Sequence, residues 1–144
     1  MTPKVGDKLP GQTYVLTQEK IDRYSRYALE GRDTENIHTN LAKARMAGLP
    51  GPVAHGRHPV AFFSEAMLRA FGEAWITSGH LEVTMTRLIL PGDTLTLRGE
   101  ITRVTADDRG DRVEVAMALV NQAGESVQSG QASVLVAAGR GERK

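Results

Sequence analysis

The thirteen residues from Pro59 to Phe71 constrain the fold more than any others in the chain. Read as a helix, they carry apolar side chains at Val60, Ala61, Phe62, Phe63, Ala66, Met67, Leu68, Ala70 and Phe71, and only Ser64, Glu65 and Arg69 are polar. A helix apolar on nearly every side has to be buried on most of them. Pro59 suits its first position, where a missing N–H costs nothing. Beyond it the apolar period drops from about 3.6 residues to 2. Leu81, Val83 and Met85 alternate with Glu82, Thr84 and Thr86; Leu95 and Leu97 alternate with Thr94, Thr96 and Arg98. Val113, Val115, Met117 and Leu119 follow, then Val134 and Val136. Turn-forming runs separate them at Pro91-Gly92-Asp93, Asp107 to Asp111 and Asn121 to Gly124. This pattern predicts a meander of long antiparallel strands with one polar face. Helices followed by strands make the chain α+β, with the sheet curled around one buried helix.

The N-terminal half reads as shorter pieces. Tyr14–Val15–Leu16 is a brief strand, and Thr17 caps a helix from Gln18 to about Leu29 with Ile21, Tyr24 and Ala28 on one face. Thr39 or Asn40 caps the short LAKARMA helix, and Gly48 stops it ahead of Leu49-Pro50-Gly51-Pro52. Trp75 is expected to pack at the end of the central helix. At 144 residues the default is one domain, 1–144, with 137–144 as a frayed tail.

Composition narrows the function classes. The chain has no cysteine, so disulfides, thiolate nucleophiles and cysteine zinc sites are absent, which fits a cytoplasmic protein. With 18 basic and 17 acidic residues the net charge is +1, and neither sign forms a long block. Nucleic-acid binding is therefore not the expected task. The N-terminal MTPKVGDKLPGQ lacks a secretory h-region, and the run from Pro59 to Phe63 is far too short to span a bilayer.

Chemistry concentrates in the polar segment GRDTENIHTN, residues 31–40, between the first two helices. Asp33 and His38 stand five residues apart there. A carboxylate and an imidazole differ by about 2.5 pKa units in model peptides, so the two can hold opposite protonation states near neutral pH. That pairing suits the addition or removal of water across a double bond. Spacing alone leaves open a blander reading, with Asp33 a turn residue and His38 a hydrogen bonder. Further on, Gly56 in Val53-Ala54-His55-Gly56 allows a ligand close to the backbone ahead of the central helix. Its N–H is then a candidate to hold a carbonyl oxygen on which charge develops.

Tyr27-Ala28, Gly31, Asp33, Ile37-His38, Ala44, Gly48 and Ala54-His55-Gly56 occur in an order and spacing that resembles the MaoC-like hydratases of the hotdog fold. Leu90-Pro91-Gly92-Asp93-Thr94-Leu95 is similar to that family's strand-connecting turn. The resemblance spans about Tyr14 to Val136. It implies an enoyl-CoA hydratase or 3-hydroxyacyl-thioester dehydratase, (R)-specific, acting on a CoA or acyl-carrier thioester. It implies Asp33 and His38 as the water-activating pair, the Gly56 amide as oxyanion donor, and His55 within the binding motif. No metal or organic cofactor is implied, and hotdog domains pair, so a homodimer or dimer of dimers is expected. Two alternatives keep the fold: a non-catalytic partner subunit of a heteromeric hydratase, or a thioesterase using Glu65.

The chain departs from the family pattern at Arg32, Glu35 and Asn36 in the first motif, at Asn40 two beyond the histidine, and at Arg57 after Ala-His-Gly. Glu35 puts a second carboxylate near Asp33, and Arg32 is placed to pair with it. Arg57 is the cation expected to face a polar acyl group, which would favour small functionalised acyl chains.

Overall fold

The computed structural model describes residues 2–138. The short strand β1 (Gln12–Leu16) leads into helix α1 (Gln18–Ala28) and the polar segment, followed by α2 (Leu41–Met46). Then come α3 (Val60–Phe71), α4 (Glu73–Ser78) and the strands β2 (His80–Met85), β3 (Asp93–Asp107), β4 (Gly110–Val120) and β5 (Ser126–Ala137). All five strands form one antiparallel sheet in the order β1-β3-β4-β5-β2. The expected meander holds for β3 to β5, but β2 does not sit beside β3. It crosses to the far edge and pairs with β5, Leu81 opposite Ala132 and Met85 opposite Gln128. The strands expected from period 2 are longer than their apolar runs, because a fifteen-residue β3 keeps pairing with β4 through its polar end.

The core lies between α3 and the sheet face bearing Leu95, Leu97, Ile101, Val113, Val115, Leu119, Val127 and Val134, all essentially buried. Phe63, Ala66 and Met67 of α3 point into it. Phe63 rests on Gly130 of β5, where a Cβ would come within 2.7 Å of its ring. The α3 helix is less enclosed than its sequence predicts: Ala61, Leu68 and Arg69 face solvent, since one sheet covers only one side of a helix. It also ends at Gly72, φ 57°, so Trp75 belongs to α4 rather than to α3. The indole does pack as expected and donates to Ser64 Oγ at 2.9 Å.

Local signals place the N-terminal elements. Thr17 Oγ1 accepts from Lys20 N, and Asn40 Oδ1 accepts from Lys43 N, so both helices start on side-chain caps. The Ala44…Gly48 spacing is a Schellman stop: Leu49 N–H reaches Ala44 O and Gly48 N–H reaches Arg45 O, with Gly48 at φ 81°. At the Leu90–Asp93 turn, buried Asp93 accepts from Leu90 N and Gln122 Nε2. At the other end of the chain, Ala137 still belongs to β5, so it is strand rather than frayed tail. The rest of that tail, from 139 onward, lies outside the described residues.

Candidate active site

The polar segment is held by a net of short-range hydrogen bonds. Helix α1 closes with Glu30 N–H on Tyr27 O and Gly31 N–H on Arg26 O, a second Schellman stop. The backbone then turns through positive φ at Glu30, Gly31 and Asp33. For Asp33, at φ 46°, this is a conformation that aspartate tolerates better than most residues. Asn36 holds the segment together. Its Nδ2 donates to Ser25 Oγ at 3.1 Å and to Asp33 O at 2.7 Å, while its Oδ1 accepts from His38 N at 2.8 Å. Ser25 is buried on α1 and Gln18 of the same helix donates to His38 O at 2.9 Å, so α1 fixes the backbone on both sides of the motif.

His38 is oriented by the strand-like Val53–Ala54 segment. Its Nδ1 lies 2.8 Å from Val53 O, and Val53 N–H returns a bond to Ile37 O. A carbonyl only accepts, so Nδ1 carries the proton and Nε2 of the neutral ring keeps a lone pair. His38 stacks on His55 at a ring-centroid distance of 3.6 Å, and Tyr24 meets His55 edge-on at 5.2 Å. Burial first, then the His38 and His58 imidazoles, pull His55 down to about 4. His58, flat against Tyr24 at 4.4 Å, is lowered by burial and by Lys20. His55 therefore stays neutral at physiological pH beneath His38. Its Nε2 is buried and has no hydrogen-bond partner among the described residues.

A cleft of about 630 Å³ opens over these groups, lined by Asp33, Glu35, Asn36, His38, Lys43 and His55, with Leu29 and Ile37 at its apolar side. Asp33, His38, His55 and Glu35 thus share one cavity. Arg57 is exposed and does not line it. Arg32 does not pair with Glu35; its guanidinium lies 2.8 Å from Glu30, because the turn after α1 brings these two side chains together at the surface. The cation of the cleft is Lys43 on α2, whose Nζ donates to Glu35 O at 2.7 Å. Lys43 escaped the sequence reading, since a lysine in a short amphipathic helix is an unremarkable type. Asn36 stands out in the sequence only as a departure from the family motif, and its bridging role in the segment is not legible there.

Gly56 lies four residues before α3, in the turns that lead to Pro59, and not in the helix itself. Its N–H donates to no acceptor among the described residues. Its carbonyl accepts from Gln128 Nε2 at 2.8 Å, and a Cβ here would run into the Met85 thioether. Glu65, the carboxylate on α3, is engaged elsewhere: it accepts from Tyr14 Oη at 2.8 Å and pairs with Arg69 at 2.7 Å. These two bonds, Tyr14 first, hold its carboxyl below the usual range, while burial and then Glu65 push the Tyr14 phenol up to about 12.

This geometry now meets its relatives. A family model described as the MaoC like domain matches residues 3–132. The chain belongs to the MaoC-like family. Its α+β hotdog architecture is shared with the R-hydratase PhaJ1 from Pseudomonas aeruginosa, 21% identical, with a TM-score of 0.74 over 95% of this chain and 84% of that one. It is shared also with the ChsH1–ChsH2 complex from Mycobacterium tuberculosis, 16% identical, TM-score 0.72, covering 94% of this chain and 99% of that one. Among curated proteins, the fatty acid synthase beta subunit hexB of Dothistroma septosporum is 28% identical over 111 residues. That match takes in 76% of this MaoC-like chain but only 6% of the much longer relative.

Proposed function

We propose that this MaoC-like chain is a hydro-lyase that adds water to an enoyl thioester, or removes it from the (R)-3-hydroxyacyl thioester. The observation that carries the reading is the shared cleft of Asp33 and His38, with His38 Nδ1 committed to Val53 O and Nε2 left as a base. In the hydration direction, Asp33 accepts a hydrogen bond from the water and His38 Nε2 takes its proton as the oxygen bonds to the β-carbon. The alkene electrons collect on the thioester oxygen beside the Gly56 N–H. The proton then passes to the α-carbon on the same face, so one water supplies both additions. The thioester itself acidifies the α-carbon, and the reading calls for no metal or organic cofactor.

The substrate is a CoA or acyl-carrier thioester. Glu35 and Lys43 in the cleft favour a short, functionalised acyl chain over a plain fatty one, and Lys43 is better placed than Arg57 to meet it. The chain acts as a homodimer or dimer of dimers, with the edge strand β2 covered by a second copy. The purified protein should hydrate crotonyl-CoA or a polar analogue to the (R) product, read by loss of enoyl absorbance and chiral analysis. A second reading, a non-catalytic partner subunit, draws on the Glu35-Asn36 departure and on the two-component ChsH1–ChsH2 complex of the same fold. Absence of hydration by the chain alone, restored by adding a MaoC-like partner, would favour it.

A further inference from the structure

Gln128 is only 1% exposed, an amide among the largest fully buried side chains, which are otherwise all apolar. Its placement follows from a bulge. Leu119 faces Gln128 across the β4–β5 ladder, but Val120 faces Ser126, so Val127 is an extra residue and both Val127 and Gln128 turn inward. On the other side of β5, Gln128 is directly opposite Met85 of β2. Directly opposed residues of an antiparallel pair project to the same face. Both side chains accordingly converge on one target 72 residues away from Gln128 in sequence: the Gly56 backbone. Gln128 Nε2 donates to the Gly56 carbonyl at 2.8 Å, and the Met85 thioether fills the space that a side chain at Gly56 would need. Gln128 Oε1 is left buried with no partner among the described residues. A buried amide with one arm unsatisfied is poor material for a core, where an aliphatic residue would fill the same space.

We propose that Gln128 is a positioning residue: by fixing the Gly56 carbonyl, with Met85 as the backstop, it sets the orientation of the turn whose Gly56 N–H receives the thioester oxygen. This rests on the reading of Gly56 as oxyanion donor. The Gly56 carbonyl and N–H sit in adjacent peptide units that meet at the Gly56 Cα, so releasing the carbonyl lets the donor's angle drift, which loses transition-state stabilisation with little change in ground-state binding.

The test compares Gln128→Leu and Gln128→Glu with wild type and Asp33→Asn, using crotonyl-CoA as probe. Gln128→Leu removes the unsatisfied oxygen and leaves the Gly56 carbonyl unpaired, two effects of opposite sign, so the fold persists. Its kcat should fall roughly tenfold to a hundredfold with KM within about threefold, the scale of a displaced catalytic group. Gln128→Glu should give a pH profile absent from wild type. A buried carboxyl has a raised pKa. Below it the O–H donates to Gly56 and activity returns; above it the carboxylate repels the carbonyl and activity is lost. The Gly56 and Arg57 amide resonances of labelled protein, single in wild type, should broaden or double in Gln128→Leu while those of β4 stay put. If Asp33→Asn abolishes hydration but both Gln128 variants keep wild-type kcat and pH profile, the inference is overturned and the hydratase reading stands. If wild type hydrates neither crotonyl-CoA nor a polar enoyl-CoA analogue, the reading of the chain as a hydratase by itself fails and the resonances alone decide: unchanged Gly56 and Arg57 signals overturn the positioning role.

Discussion

At the scale of single residues, the site separates groups that face the cleft from groups that hold them. Asp33→Asn is the informative change at the first position, because asparagine accepts positive φ as readily as aspartate and the Asn36 bond goes to the Asp33 backbone. His38→Ala leaves the Val53–Ile37 backbone bond in place. Each variant should lower kcat by about two to four orders of magnitude, the usual worth of a positioned acid or base, with an unchanged circular-dichroism spectrum. Near-normal turnover in both would refute the assignment. His55 makes a different contribution, to stability. Its folded pKa of about 4 lies below the unfolded value, so between those points the unfolded chain binds more protons than the folded one. Stability is therefore fully present above about pH 6.5, an unperturbed imidazole's pKa, and is lost as pH falls through that window. His58 acts in the same sense. The melting temperature should drop from neutral to acidic pH in wild type and drop less in His55→Phe, which keeps a stacking ring without a proton site.

Elements were legible where a local rule dictates them. Two caps, a glycine stop at Gly48 and the change of period after Phe71 give α1, α2, α3 and the strands to within a few residues. What the sequence could not convey is which strand neighbours which, because the period-2 pattern of Leu81–Met85 is the same at either edge of a sheet. Nor does it convey that Arg32 turns to Glu30, a choice made by the tight turn after α1. Asp33 and His38 line one cleft, and Gly56 is not among its lining residues. The groups that hold these backbones, Asn36 in the same segment, Gln18 on α1 and Gln128 on β5, follow no spacing rule. Counting back in twos from Val134 through Ala132 and Gly130 does reach Gln128, which was the available signal for its inward face. The contact of α3 with β5 is where small size matters most. Gly130→Ala would press a methyl into the Phe63 ring and should cost about 1–3 kcal/mol in urea unfolding, the scale of an overpacked core. Adding Phe63→Leu should recover part of that loss.

At the scale of the whole molecule, the sheet ends in two edge strands, β1 and β2. Met85 of β2, Leu68 of α3 and Ile76 of α4 are all at least two-fifths exposed. An unpaired strand edge with apolar neighbours invites another strand. Sedimentation should show a dimer at micromolar concentration, and Leu68→Asp with Ile76→Asp should shift it towards monomer without lowering the monomer's helix content. A dimer unaffected by these changes would place the interface elsewhere. Among the described residues no helix is long and apolar enough to cross a membrane. The crossing of β2 to the far edge has one more consequence, for the order of events in folding. The β3–β4–β5 hairpins close loops of a few residues and can form early. The β2–β5 ladder and the Gln128–Gly56 bond instead join chain segments dozens of residues apart, and loop closure makes such contacts slow. On dilution from denaturant, sheet signal should therefore return before any hydration activity, with the Gly56 turn the last part of the chain to settle.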